Sequence, residues 1–462
     1  MTLAQQLARD VLAYDGDLPP EVRAKLKTCL IDFLSCAFET LERGLPWARQ
    51  AIAVTRATAA SEVGANIVGS GITAAPGDAA FVNSVLGHGL VREDMHAGSI
   101  GHHGVVVWPV LLAVTQRTPT AGDRFLVSAV LAYETAARIG RALFDAELAR
   151  LYRPTGLVSP LGAALGAARM LQLSEAQATS AFSLAVNTVG GLNQWPHIGG
   201  SEMYFHPGFA ARNTIAALEL AEQDAFASPD ILEGEAGLFA AYRRGKAPSA
   251  ITLFDGGRFE ILEVFNKPAP ACNFAQTACQ AAVRVAGKSA RPSYEIAAIR
   301  VRVTDAAMRY PGCDSSGPFE RSLQAKMSIR FSVAAALASG AITEENYANP
   351  RDPEILRLIA MTSVEPEARF TAAFPGKQGA EVRVEYADGS QATERLDDVV
   401  QATDAEVRAR FRQSAAAVIG ASRANEIEAL IDTLDDTPDA GLVARLCALE
   451  ETRVATRRSA LN

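Results

Sequence analysis

The chain has 462 residues, 49% of them hydrophobic and 21% charged, with a net charge of −8. This length suggests two or three domains around a large core, and the acidic balance speaks against a nucleic-acid partner, which needs a basic face. Residues 1–10 lack a basic stretch followed by an apolar core, and no apolar run approaches the roughly 18 residues of a membrane span, so a cytoplasmic protein with no membrane partner is expected.

Helical periodicity opens the chain. Leu3, Leu7, Val11 and Leu12 form one apolar stripe, and Pro19-Pro20 start a second helix that buries Val22, Leu26, Leu30, Phe33 and Leu34. Further helices are predicted over residues 78–90, 105–116, 121–143, 163–171, 178–189 and 209–222. Ser174-Glu175-Ala176-Gln177 supplies a serine N-cap between two of them. These segments are rich in Ala, Gly and Leu, small enough for helices to pack closely around a cleft. From Phe265 the texture changes. Residues 299–303 and 381–386 alternate apolar and polar as half-buried strands do, and Asp388-Gly389 turns the second into a hairpin with 391–396. Helices are predicted at 276–285 and 325–339.

From Asp404 the helical spacing returns with Val407, Phe411, Ala415 and Ile419, then Ile427, Leu430 and Ile431. A lone helical pair has no core of its own, so this tail is expected to rejoin the first helices. The fold expected is mainly α. A large all-helical domain from residues 1–265 and 402–462 carries a smaller inserted α+β lid domain, 266–401, with hinges near Phe265 and Gln401. Residues 453–462 are polar and expected to fray.

Six scattered cysteines with no CxxC spacing suggest neither a zinc ribbon nor a disulfide framework. No Walker, GxGxxG or GxSxG spacing is present. The chemistry concentrates between His88 and His103, which hold four of the six histidines. The spacing 88, 96, 102, 103 matches no metal-binding pattern, and acid–base work suits it better, because imidazole titrates near neutrality. His102 is best placed, between Gly101 and Gly104 at the entry to a predicted helix; capping or surface histidine is the alternative for each of the four. Lys267 sits in Asn266-Lys267-Pro268-Ala269-Pro270, where the prolines fix an extended path. There it either holds a carboxylate across a domain boundary or stands in solvent. Arg153 and His206 each open a helical segment with a cationic or titratable side chain, for which solvated charge is the alternative.

Several stretches together resemble the MmgE/PrpD family. They are Leu30-Ile31-Asp32-Phe33-Leu34; Asn83 through Asp94, similar to the family's N-x4-H-x-L-D-x-D-D; Gly101-His102-His103-Gly104 through Pro109, similar to its H-P-S…P; residues 231–239; Lys267-Pro268 through Cys272; and Ala325-Lys326-Met327-Ser328. They fall in the family's order along nearly the whole chain. The resemblance implies an active site between a helical domain and a lid, a homodimer, and no metal or organic cofactor. It implies a small anionic carboxylate substrate that loses a proton beside a carboxylate and is then dehydrated, decarboxylated or reprotonated.

By position His102 matches the histidine of H-P-S, Lys267 the lysine of K-P, and Asp94 the last aspartate of D-x-D-D. The roles expected on chemical grounds are His102 as base or acid, Lys267 and Arg153 as holders of carboxylate or carbanion charge, and Asp94 as the group orienting the histidine region. Arg92, His96, His103, Arg153, His206 and Arg212 are the candidates for a cationic substrate pocket. The pattern departs from the family at Val91 and Glu93 (both aspartate there), Met95 (threonine), Arg153 (histidine) and Met203 (lysine). The expected activity is a cofactor-independent lyase, dehydratase or decarboxylase. An epimerase or isomerase of a similar substrate, or a non-catalytic ligand-binding relative, is the alternative.

Overall fold

In the computed structural model, residues 1–55, 64–242, 245–289 and 291–449 are described; the terminal 453–462 stretch lies outside them. The protein is mainly α. Helices α1 (Leu3–Ala13), α2 (Pro20–Glu42), α3 (Pro76–His88), α4 (Gly104–Arg117), α5 (Gly122–Leu143), α6 (Pro154–Met170), α7 (Glu175–Asn187) and α8 (Glu202–Glu222) build the first part. α3, α4 and α6 are buried on nearly every side. Their sequences are therefore apolar all round instead of striped, as an interior helix requires.

Local signals explain most boundaries. Ser174 caps α7 in a reciprocal box with Gln177. α6 begins nine residues before its expected start because Pro154 occupies the first turn, where a missing N–H costs nothing. The helix expected over 325–339 is broken at Ser328, whose extended backbone ends one short helix (Ser322–Met327) while its hydroxyl accepts from the Phe331 N–H to cap the next.

Between residues 266 and 401 lies one four-stranded sheet. Strands β1 (Ile296–Val303), β2 (Thr362–Pro366), β3 (Ala380–Tyr386) and β4 (Gln391–Leu396) run in the order β2-β1-β3-β4. The β1/β2 pair is parallel and the other two are antiparallel. Asp388 and Gly389 make the β3–β4 turn, with Gly389 at a φ of 83°, as a tight hairpin demands. Helix α9 (Gln276–Ser289) packs on this sheet and on α10 (Ile329–Ser339).

The tail returns as expected. Helix α11 (Asp404–Ile419) lies along α2, where Phe411 meets Phe38 with ring centroids 6.1 Å apart. The Ser414 hydroxyl donates to the Ser35 carbonyl at 3.2 Å. All six cysteines are buried and unbridged. Among the described residues no helix is long and apolar enough to cross a membrane.

Candidate active site

Two short backbone pairings assemble the site. After α3, residues 89–101 form an irregular loop in which Met95 and His96 pair antiparallel with Phe265 and Val264. That ladder carries Asn266-Lys267 back alongside the histidine segment, about 170 residues away in the chain. His96 and Gly101 then exchange backbone hydrogen bonds of 2.9 and 3.2 Å, closing a turn that presents His102. Val91 and Ile100 in this loop hold left-handed backbone, with φ of 61° and 55°. β-Branched residues rarely tolerate that conformation. At Val91 the twist aims the carbonyl at the Lys267 ammonium, 2.8 Å away.

Lys267 has no solvent-exposed surface, and its second partner is the Ala271 carbonyl at 3.3 Å. Two of its three donor hydrogens are thus committed and one remains. Burial lowers its pKa, with the Glu93 charge opposing the shift. His102 is held through its Nδ1, which faces the Asp94 carbonyl at 2.9 Å and a Glu93 carboxylate oxygen at 3.1 Å. Both neighbours are acceptors, so Nδ1 carries the proton and Nε2 keeps its lone pair for the cavity. Burial, reinforced by the Lys267 charge, drives the His102 pKa well below its usual 6.5. The ring is therefore a neutral base at physiological pH.

Behind His102 lies a buried relay. Glu93 accepts from His88 Nδ1 at 2.7 Å, and His88 Nε2 accepts from the Arg153 guanidinium. Although burial opposes it, the imidazoles and Lys267 hold the Glu93 carboxyl well below the ordinary range, so it is ionised. The Arg153 guanidinium also lies over the Trp195 ring, 5.1 Å from its centroid, while its Nε is buried without a partner. Asp94 contributes to His102 through its backbone carbonyl. Its carboxylate instead accepts from the Tyr133 hydroxyl and, at 3.3 Å, from the Gly104 N–H. Burial, with Asp32 and Glu93 nearby, pushes the Asp94 pKa up to about 7.

His102, Arg153 and Lys267 line one cavity with Thr155, Asn273 and Tyr310 on its polar side and Val91, Met95, Ile100, Trp195, Met203, Phe274 and Met327 among its apolar walls. Only about 30 Å³ of it admits the centre of a water molecule. That is room for a couple of waters, so a carboxylate ligand requires the walls to part.

The other predicted site residues lie elsewhere. Arg92 turns away toward Glu39 at 2.6 Å and lines a separate groove. His96 and His103 form a second buried cluster: His96 meets Glu260 at 2.8 Å, and Ser99 joins His96 (2.7 Å) to His103 (2.9 Å). His103 also reaches Ser159 at 2.9 Å. His206 is spent on the Gly190 carbonyl, and Arg212 is half-exposed, paired with Asp78 at 2.9 Å. Among the described residues no group of three or more His, Cys, Asp or Glu is placed to hold a metal. Sequence reasoning missed Glu93 as the partner of both imidazoles. Its five-residue separation from His88, which ends α3, was the available signal. Trp195, Phe274, Tyr310 and Met327 carried none.

Comparison with known proteins adds a family. The MmgE/PrpD N-terminal domain matches residues 5–250 and the MmgE/PrpD C-terminal domain residues 269–436. A cis-aconitate decarboxylase-like protein of Aspergillus oryzae is 25% identical, covering 94% of both chains. The cis-aconitate decarboxylase of Aspergillus terreus is 23% identical over 92% of this chain and 91% of its own. A probable 2-methylcitrate dehydratase of Saccharomyces cerevisiae is 32% identical over 27% of this chain and 26% of its own.

Proposed function

Because the chain belongs to the MmgE/PrpD family, we propose that it is a lyase of small carboxylates, removing a proton from the carbon beside a carboxylate and then expelling water or CO₂. One observation carries this reading: a neutral imidazole with its Nε2 lone pair directed to a cavity that a lysine and an arginine also line. Such a proton is weakly acidic, and its removal needs a positioned base together with cations where enolate charge develops. His102 Nε2 takes the proton. Glu93 then faces the new imidazolium through Nδ1. The remaining Lys267 hydrogen and the Arg153 guanidinium hold the carboxylate oxygens on which negative charge grows. In dehydration that charge expels the neighbouring hydroxyl, which takes the His102 proton and leaves as water while a double bond forms. In decarboxylation the His102 proton returns to another carbon of the delocalised anion, and the bonding pair left by the departing CO₂ is protonated on carbon.

Residues 266–401 serve as the lid in this reading, since the cavity is too narrow for a carboxylate and must widen for entry. The relatives' names, decarboxylase and dehydratase, support the lyase over an epimerase that returns the proton unchanged. The test is incubation in D₂O with cis-aconitate, 2-methylcitrate and alkyl-substituted malates, followed by proton NMR. Loss of CO₂ or water is expected from at least one. His102→Gln should slow it by roughly 10²–10⁴, the usual share of a general base. Deuterium exchange with no net product would favour the epimerase, and undiminished turnover in the His102 variant would remove the assignment.

A further inference from the structure

We propose that the substrate of this cavity carries at most two carboxylates and an apolar substituent, so that a third carboxylate is excluded. The inference rests on the carboxylate reading above and specifies it. Its basis is the number of charges and where the hydrocarbon lies.

Among the described residues, two cations line the cavity, Lys267 and Arg153. Glu93, ionised and directly behind His102, offsets one of them. The other basic groups close to this part of the fold are engaged outside it: Arg92 with Glu39, Lys326 with Glu344, and Arg410 with the carbonyls of Lys267 and Pro268. His102 and His88, depressed by burial, add no charge at neutral pH. Two carboxylates are the most that Lys267 and Arg153 can pair one to one, and the Glu93 charge leaves nothing to spare for another. A third would be buried with no counter-charge, a state proteins avoid because an uncompensated buried ion loses its hydration.

The apolar walls supply the other half of the inference. Val91, Met95 and Met203, the three positions at which the sequence departs from the family's polar residues to hydrocarbon or thioether, all line this one cavity. Each is almost wholly buried, and Met327, Phe274 and Ile100 join them. Methionine adapts its shape to an irregular partner, so these walls suit an alkyl group better than a hydrated oxyanion.

The test is binding to the wild-type protein, by calorimetry or thermal shift at pH 7, of succinate, methylsuccinate, ethylsuccinate, propylsuccinate and propane-1,2,3-tricarboxylate. The last carries a carboxymethyl group where propylsuccinate carries only hydrocarbon. Each added methylene is expected to tighten binding by about 4-fold until the walls are filled. The tricarboxylate is expected to bind at least about 10-fold more weakly than propylsuccinate. Met203→Lys, which adds a cation to the wall, should narrow or invert that ratio. Tricarboxylate binding as tight as propylsuccinate, or no gain along the alkyl series, overturns this inference and leaves the carboxylate lyase standing. No binding by any of the five overturns both.

Discussion

Glu93→Gln separates the buried relay from the rest of the site. The carboxylate lies 3.1 Å from His102 Nδ1, and it matters most once His102 has accepted a proton. Two unit charges at that distance attract by roughly 5 kcal/mol at an effective dielectric of about 20. With the proton half-transferred in the transition state, about half of that is lost on neutralisation, so kcat should fall by about 100-fold. Both imidazole Nδ1 atoms meet the same carboxylate oxygen while the other oxygen is buried without a partner, so a glutamine oxygen can still accept from each ring and the substitution removes chiefly the charge. The assay is single-turnover kinetics on the carboxylate that the wild type converts, with near-ultraviolet circular dichroism to establish that the variant is folded. An effect confined to KM, or unchanged kcat in a folded variant, would refute the argument that Glu93 stabilises the imidazolium.

Other expectations follow from the same geometry. Lys267→Met strips the Val91 and Ala271 carbonyls of their buried donor and leaves Glu93 less balanced; kcat should drop by about 10²–10³, and a variant with normal kcat would sink the anion-holding role. Gly104→Ala would place a Cβ 2.5 Å from the Tyr133 hydroxyl and 2.7 Å from an Asp94 carboxylate oxygen; denaturant unfolding should show a loss of about 1–3 kcal/mol, and wild-type stability would disprove that close fit.

Acid lability is also expected. His88, His96, His102, His103 and His206 are all depressed below 6.5, chiefly by burial, His206 to about 4. The unfolded chain therefore binds protons that the native state refuses, and stability is lost as pH falls below about 6.5, by up to about 1.4 kcal/mol per pH unit for each histidine. Asp94, raised to about 7, acts in the opposite sense between about pH 4 and 7, and Asp10, Asp32, Glu134 and Glu219, raised by burial, do so from their ordinary range upward; the five histidines are expected to set the sign nearer neutrality. The melting temperature should fall clearly from pH 7.5 to pH 5, and a flat profile would contradict the neutral assignment of these rings.

What the sequence revealed depended on whether a residue's role was local. The periodic spacing of Leu3, Leu7 and Val11, the Ser174–Gln177 box and the Asp388-Gly389 turn act through neighbours a few positions away, and each appears where expected. The start of α6 was placed late because its first turns are Gly- and Pro-rich yet fully buried. At the site, segment and side chain diverged. His102 and His103 are adjacent but serve separate clusters, and Arg92 and Glu93 likewise face different surroundings. That choice depends on loop backbone held by a strand pairing with residues 264–265, which periodicity does not encode. The aromatic and thioether walls escaped notice because the same residue types fill any core.

The grip of Arg410 on the backbone around Lys267 has a temporal consequence. Its guanidinium donates to the carbonyls of Lys267 and Pro268 at 3.0 and 2.8 Å, and Arg410 belongs to α11, which packs on α2. The ribosome has therefore added 143 residues beyond Lys267 before the brace behind the lysine exists. Nascent or prematurely terminated polypeptides lacking that helix would be born without a competent centre, however well their earlier helices had folded.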